Sequence, residues 1–365
     1  MTVIAAPGRQ YRPDYAIPPG ETVRSTLDAL GMTQADLSRR TGLSTKHINR
    51  IIQGVAPISP DTALALERVL GVPARFWNAL EANYQARQIR LREREVSPDD
   101  AEWLRRLPVK ELAQRGLIEQ TDDLAERRDQ VLSFFGVASR PSWDAVWLAP
   151  EASYRRSPAF EADPYVTASW LRVGELAAVT VEVNAFDRIR FGRALQGIRS
   201  IMIQPPEQFE PEMRRLCAES GVVLVITHEI KRSRANGATR WLSPTKALIQ
   251  LSLRYRWEDV FWFSFFHEAG HVLLHGKRET FIDDGDRTGS EEEEADEFAA
   301  SLLIPQQFET ELLRIRTLAE AQLFARRLGI PPGVVVGRLQ REKVLGYNVG
   351  NGLRRRFTLV PANHS

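Results

Sequence analysis

Three of the six histidines in this 365-residue chain fall within nine residues, in the segment FWFSFFHEAGHVLLHG (261–276). His267, Glu268 and His271 form the pattern HExxH. On an α-helix, residues i and i+4 lie on one face about 6 Å apart along the axis, so both imidazoles can bind one zinc ion. Glu268 lies beside that face and can act as the base toward a water molecule at the zinc. The spacing therefore predicts a metalloprotease helix, and the aromatic residues before the motif favour this over a simply packed histidine pair.

A catalytic zinc needs a third protein ligand and an open position. His275 lies eight residues after His267, about 12 Å along the same helix, so we expect it to support or pack beside the site. The acidic segment SEEEEADEFAASLLIP (290–305) offers a carboxylate instead. Glu292 and Asp296 are i and i+4 on one helix face, where Glu292 can bind the metal and Asp296 can orient a histidine. The alternative is that these acids only complement the helix dipole in solvent.

A second constellation, TQADLSRRTGLSTKHINRIIQG (33–54), has the spacing of two helices joined by a short turn at Gly42. Leucine and isoleucine side chains would fix one helix across the other. The outer face of the second helix is left with residue types that hydrogen-bond to base edges and phosphates: Ser44, Thr45, Lys46, Asn49 and Arg50. Residues 21–95 carry eleven Lys/Arg against eight Asp/Glu. This local charge balance does not distinguish a DNA-binding domain from a helical bundle without a DNA role.

The elements around these motifs predict an α+β fold that is mainly helical. N-cap residues and glycine stops delimit five short helices before residue 90, and β-branched runs predict strands at 200–204, at 222–228 and within 240–255. We expect the chain to be organised as an extended arm (1–20), a helix-turn-helix domain (21–90), a helical linker or interaction region (91–199), the domain of the HExxH motif (200–345) and a tail (346–365).

The composition excludes several classes of protein. With 43% hydrophobic and 26% charged residues the chain can build sizeable cores, and a net charge of +2 gives no whole-chain argument for nucleic acid. The single cysteine, Cys217, excludes a disulfide within the chain and a cysteine-only metal site. The sequence shows neither an apolar run long enough to span a membrane nor a secretory signal, so we expect a cytoplasmic protein without membrane partners.

The N-terminal motif resembles the Xre-type helix-turn-helix of HigA-like antitoxins. The resemblance covers about 65 residues and runs through ETVRSTLDALGMTQADLSRRTG, STKHINRIIQG, PISPDTALALERVLGVPARFW and Tyr84. It implies a five-helix domain that binds double-stranded operator DNA. Helix-turn-helix proteins commonly dimerise on two half-sites, so we expect a homodimer, and a cognate toxin is a further candidate partner.

The C-terminal motifs resemble the ImmA/IrrE metallopeptidase family. The matching residues are HEAGHVLLH (267–275) and EEEADEFAASLLIP (292–305), and with the preceding strands the resemblance covers about residues 200–310. It implies a zincin-like (gluzincin) fold that binds one Zn²⁺ per chain. Carried onto this chain, the family's residues are the ligands His267, His271 and Glu292, with Glu294 as the competing third ligand, and the base Glu268. Asp296 and His275 would support the ligands.

Residues 237–268 also resemble a subgroup in which a helix-turn-helix is fused to the peptidase. There a strand before the active helix could pair with an extended peptide. Arg240 and Trp241 are therefore candidate substrate contacts, although Trp241 could equally belong to the core. His228, at the end of a predicted strand, is expected to be incidental.

Two functions from different classes follow. The leading hypothesis is a DNA-binding transcriptional regulator with a zinc-dependent endopeptidase that cleaves a helix-turn-helix repressor or another regulatory protein in a stress, phage or mobile-element response. The alternative is a HigA-like antitoxin or autorepressor whose peptidase-like domain is a non-catalytic sensor. A purely structural use of both folds is the remaining possibility.

Overall fold

The computed structural model describes residues 16–92, 95–148, 163–276, 280–283 and 289–359. The chain divides into two compact units. The first runs to Pro98 and also includes Thr121–Glu126, and the second comprises Asp99–Gln120 and the chain from Arg127 onward. The predicted boundary at 199/200 does not coincide with this division, because the middle helices belong to the same unit as the HExxH helix.

The first unit contains the five predicted helices: α1 (Pro19–Leu30), α2 (Gln34–Thr41), α3 (Thr45–Ile52), α4 (Pro60–Leu70) and α5 (Ala74–Arg92). Helix α1 begins inside the arm predicted for residues 1–20, of which 1–15 lie outside the described residues. A capping box between Thr33 and Asp36 starts α2, and Gly42 ends it in the left-handed conformation. Leu37, Ile48 and Trp77 are fully buried between the helices.

The middle region is helical, as predicted, and lies mainly in the second unit. Its helices are α6 (Pro98–Arg106), α7 (Val109–Gln114), α8 (Leu124–Phe135), α9 (Arg140–Trp143), α10 (Pro164–Val179), α11 (Arg188–Ile201) and α12 (Pro206–Glu219). The strand predicted at 200–204 is wrong, because α11 extends to Ile201. Ile198 and Met202, four residues apart, are both fully buried, so helical packing overrides the local β-branched pattern.

A four-stranded sheet follows, with β1 (Val222–Thr227), β2 (Gly237–Ser243), β3 (Lys246–Ser252) and β4 (Phe281–Asp283) in the order β1-β3-β2-β4. Strands β1 and β3 are parallel, and β2 is antiparallel to both of its neighbours. Alternate side chains face opposite layers. Leu224 and Ile249 belong to the main core with α11, α12 and the HExxH helix, whereas Val223 and Leu248 pack with Ala178 of α10.

The remaining helices are α13 (Glu258–Leu274), α14 (Ser290–Leu303), α15 (Glu309–Leu312), α16 (Leu318–Leu328) and α17 (Pro332–Arg341). Residues of the predicted tail (346–365) pack on the start of α13. Arg354 pairs with Asp259, and the amide of Arg355 donates to the buried Glu258. In the described ranges no helix combines the length and the apolar character needed to cross a membrane.

Candidate functional site

Helix α13 carries the HExxH motif through the centre of the second unit. Its aromatic residues Phe261, Trp262, Phe265 and Phe266 are buried at no more than 4% exposure, so the helix is anchored by its apolar surface and its polar groups are held rigidly. Gly270 allows α14 to approach closely, since a Cβ at this position would lie 3.2 Å from the Cα of Ala295. The two helices that carry the candidate ligands are therefore packed directly against each other.

Three donor groups converge where α13 meets α14. The Nε2 atoms of His267 and His271 lie 3.1 Å apart. The carboxylate of Glu292 lies 3.0 Å from Nε2 of His267 and 3.4 Å from Nε2 of His271. One donor atom from each residue lies within 4.8 Å of the others. The structure thus brings together the two motif histidines and the first of the two candidate acids.

The competing acid points elsewhere. The Glu294 carboxylate lies 3.4 Å from Nε2 of His275, and its side chain is 60% exposed. Glu292 has a side chain only 18% exposed. Burial alone would raise the pKa of Glu292, but hydrogen bonds from His267 and His271 outweigh it and lower that pKa to about 2. Glu292 is therefore ionised at neutral pH, as a metal ligand must be.

Each histidine is held through its other ring nitrogen. His267 donates from Nδ1 to Oδ1 of Asp296 at 2.9 Å, and Arg341 of α17 donates to the second carboxylate oxygen at 2.7 Å. This contact fixes the tautomer that leaves Nε2 of His267 with its lone pair.

The ring of His271 is fixed by two neighbours. Its Nδ1 lies 2.8 Å from Nδ1 of His275, and its ring stacks on Phe281 with centroids 4.0 Å apart. His275 is the cap residue of α13, just beyond its last turn, and contacts a candidate ligand without joining the donor cluster. Burial lowers the pKa of His271, which favours the neutral imidazole that binds metal.

Glu268 is fully buried next to these donors. Thr239 of β2 donates to Oε2 at 2.7 Å, whereas Oε1 has no hydrogen-bond partner among the described residues. Burial raises the pKa of Glu268 to about 8, with a further contribution from the charge of Asp283. Gly237 makes room for this carboxylate, because a Cβ there would lie 2.5 Å from Oε1.

The candidate substrate contacts lie on β2 beyond the metal centre. Arg240 forms an ion pair with Glu175 of α10 at 2.7 Å, on the sheet face opposite the one from which Thr239 reaches Glu268. Trp241 packs edge-to-face against Phe186 at 4.9 Å. The outer edge of β2 pairs with β4 from Gly237 to Thr239. His228 is exposed and outside the donor cluster.

The sequence did not point to four residues around the candidate metal centre: Thr239, Asp283, Phe281 and Arg341. Thr239 and Phe281 lie opposite each other in the β2–β4 pairing. Arg341 is 70 residues from His271 along the chain and carries no local motif. Of these four, only Thr239 carried a signal in the sequence. It lies two residues before Trp241 on the same strand face, so it could have been predicted to face the helix.

The DNA-contact candidates form one exposed surface of the first unit. Ser44 caps α3, its side chain accepting from the amide of His47. Ile48, Ile51 and Ile52 are buried on the inner face of α3. Ser44, Thr45, Lys46, Asn49 and Arg50 are all exposed. The arrangement leaves a polar and cationic helix face available for a groove of DNA.

The residues at the metal centre fit zinc. Two imidazole nitrogens and one carboxylate are the ligand types of a catalytic zinc site with an open position, and Asp296 supplies the outer contact that such histidines normally have. The buried Oε1 of Glu268, without a partner among the described residues, is the atom that a bound water or substrate would satisfy. His267, His271 and Glu292 would hold the ion.

Comparison with known proteins also distinguishes an N-terminal from a C-terminal segment of the chain. Residues 23–77 match a family model described as helix-turn-helix, and residues 254–340 match the model of the IrrE N-terminal-like domain, a peptidase family. A solved structure of a HigA-family addiction module antidote protein from Coxiella burnetii is similar at 29% identity, over 23% of this chain and 97% of that one, with a TM-score of 0.21. The search of curated proteins found no match. The chain thus carries an N-terminal segment that matches an Xre-type helix-turn-helix model and a C-terminal segment that matches the ImmA/IrrE-like peptidase model.

Proposed function

We propose that the chain is a DNA-binding transcriptional regulator whose peptidase segment is a zinc-dependent endopeptidase, and that it cleaves a repressor or another regulatory protein. The observation that carries the proposal is the convergence of His267, His271 and Glu292 beside the buried Glu268. A stress, phage or mobile-element response is the setting that the resemblance to ImmA/IrrE peptidases implies. The proposed location is the cytoplasm, where such regulators act.

The chain's own residues supply the proton chemistry of peptide hydrolysis. Zinc held by the three ligands would supply Lewis acidity toward the scissile carbonyl. Glu268 takes a proton from the attacking water at Oε1, while Thr239 keeps Oε2 in place. The carboxyl that results then returns this proton to the leaving amine.

An extended substrate would pair with β2 by strand addition. Strand addition uses the unpaired N–H and C=O groups of an edge strand. Contacts to the substrate from this strand are then mainly main-chain contacts, since the Arg240 side chain is held by Glu175.

The first unit would recruit the protein to DNA. Ser44, Thr45, Lys46, Asn49 and Arg50 would contact double-stranded operator DNA, with a homodimer matching two half-sites. Recruitment would allow autoregulation or bring the peptidase close to a DNA-bound target. A cognate toxin remains a further proposed partner.

The test is a comparison of protein N-termini in cells that produce the wild-type chain or Glu268→Gln. We expect specific new N-termini in a DNA-binding regulator with the wild type and their loss in the variant. The variant must retain zinc, because Glu268 is not among the ligands. Identical sets of protein N-termini in cells with the wild type and with the variant would contradict the endopeptidase proposal.

A second candidate function is a HigA-like antitoxin or autorepressor in which the metal centre only senses zinc. One observation favours it: His267, Glu268 and His271 are at most 1% exposed, and Phe281 stacks on His271. Zinc-dependent operator binding that persists in Glu268→Gln, without any cleaved protein, would support this candidate.

A further inference from the structure

A cavity of about 330 Å³ lies beside the start of α13, and its lining includes neither the three candidate zinc ligands nor Glu268. It is lined by residues of α13, the end of α14, α17 and the segment after α17, and it opens to solvent. Leu303, Ile304 and Val334 supply buried apolar walls. Native interiors contain few voids larger than a water molecule, and small-molecule sites begin at about 300 Å³. The cavity is therefore large enough for a small ligand.

The polar side of this cavity is cationic. Three arginines and a single acid, Asp259, line it. The Asp259 carboxylate is neutralised by a bidentate ion pair with Arg354, with both contacts at 2.8 Å. Arg338 is paired with both Glu309 and Glu342. The third arginine, Arg341, has a guanidinium that can still bind another anion.

Arg341 contacts Asp296 through one terminal nitrogen at 2.7 Å, and its side chain is 53% exposed. Its guanidinium also lies 5.0 Å from the ring centroid of Phe263, a cavity residue. Within the described part of the chain, its other two nitrogens meet no protein acceptor. A guanidinium presents several donors in a fixed plane that suits a carboxylate.

We propose that this cavity binds a small hydrophobic carboxylate. Its apolar body would pack on Leu303, Ile304 and Val334, and its carboxylate would accept hydrogen bonds from Arg341. The combination of apolar walls with one convergent cationic group is the usual make-up of a small-molecule site.

The cavity is connected to the metal centre by a chain of two contacts. Arg341 donates to Asp296, and Asp296 holds Nδ1 of His267. A bound carboxylate competes with Asp296 for Arg341 and so changes the support of His267. This consequence rests on the proposed zinc site, whereas the binding itself does not.

Calorimetry on the full-length, metal-free chain tests the binding with phenylacetate as the probe. Acetate lacks the apolar body and methyl phenylacetate lacks the charge, and we expect each to bind at least about tenfold more weakly. Arg341→Gln should weaken phenylacetate to a similar degree, and the exposed Arg326→Gln should not. A thermal melt without ligand shows that each variant is folded.

No heat with phenylacetate at its solubility limit, or equal affinity in wild type and Arg341→Gln, overturns the proposal. The coupling is measured separately as the zinc dissociation constant with and without phenylacetate. We expect a change of several-fold that disappears in Arg341→Gln, and by reciprocity zinc must change phenylacetate affinity by the same factor. An unchanged zinc constant overturns the coupling, and failure to bind zinc at all leaves the metal-free binding result standing.

Discussion

Asp296 should control zinc affinity without touching the zinc. Its side chain is 17% exposed and bridges Nδ1 of His267 at 2.9 Å and Arg341 at 2.7 Å. Removing the carboxylate in Asp296→Ala frees the imidazole to rotate and removes the acceptor that fixes its tautomer. Outer contacts of this kind are worth about 10- to 100-fold in metal affinity, which corresponds to about 1.4–2.7 kcal/mol.

The assay is competition for zinc between the protein and a chromophoric chelator at fixed pH. Asp296→Asn should lie between wild type and Asp296→Ala, because the amide oxygen can still accept from Nδ1 of His267. The exposed neighbour Glu297→Ala is the matched control on the same helix and should bind zinc as the wild type does. An Asp296→Ala variant with wild-type zinc affinity would refute the role of this contact.

Three further outcomes are expected. Ile48→Ala should lower the free energy of unfolding of the first unit by about 2–5 kcal/mol in urea denaturation, because Ile48 is 1% exposed; a loss as small as that of exposed Leu64→Ala would contradict this. Arg50→Ala should weaken binding to a mixed-sequence duplex and lower the salt slope by about one, measured by fluorescence anisotropy; an effect equal to that of Arg326→Ala would count against a phosphate contact. Burial raises the pKa of the Cys217 thiol to about 12 from its ordinary 9.0, so stability should fall as pH rises above about 9; rapid alkylation of the native chain would show that the thiol is not buried.

The HExxH motif could be placed from sequence because its geometry is local. Two residues four apart on a helix share a face whatever surrounds them, and the structure puts both Nε2 atoms 3.1 Å apart. The helix-turn-helix is equally local: its caps at Thr33 and Ser44 and its isoleucine spacing fix the two helices.

The choice between Glu292 and Glu294 could not be made from sequence. A run of four glutamates offers several registers, and the answer depends on how α14 is rotated against α13. Gly270 and Ala295 set that rotation by allowing close contact, which places Glu292 beside the histidines and Glu294 beside His275.

Contacts between segments that are distant along the chain could not be predicted from the sequence either. Arg341 reaches Asp296 from α17, and Thr239 reaches Glu268 from β2. Neither pair has a spacing that predicts contact. The part of the predicted tail that packs on α13 depends in the same way on Arg354 finding Asp259.

Zinc content per chain tests the central claim most directly. It should be measured after purification without a metal affinity column, for wild type, His267→Ala and Glu268→Gln, with circular dichroism to show that each is folded. We predict about one zinc per chain in wild type and Glu268→Gln and none in His267→Ala. The absence of zinc from all three proteins, with no uptake when zinc is added, would contradict the proposed metal centre.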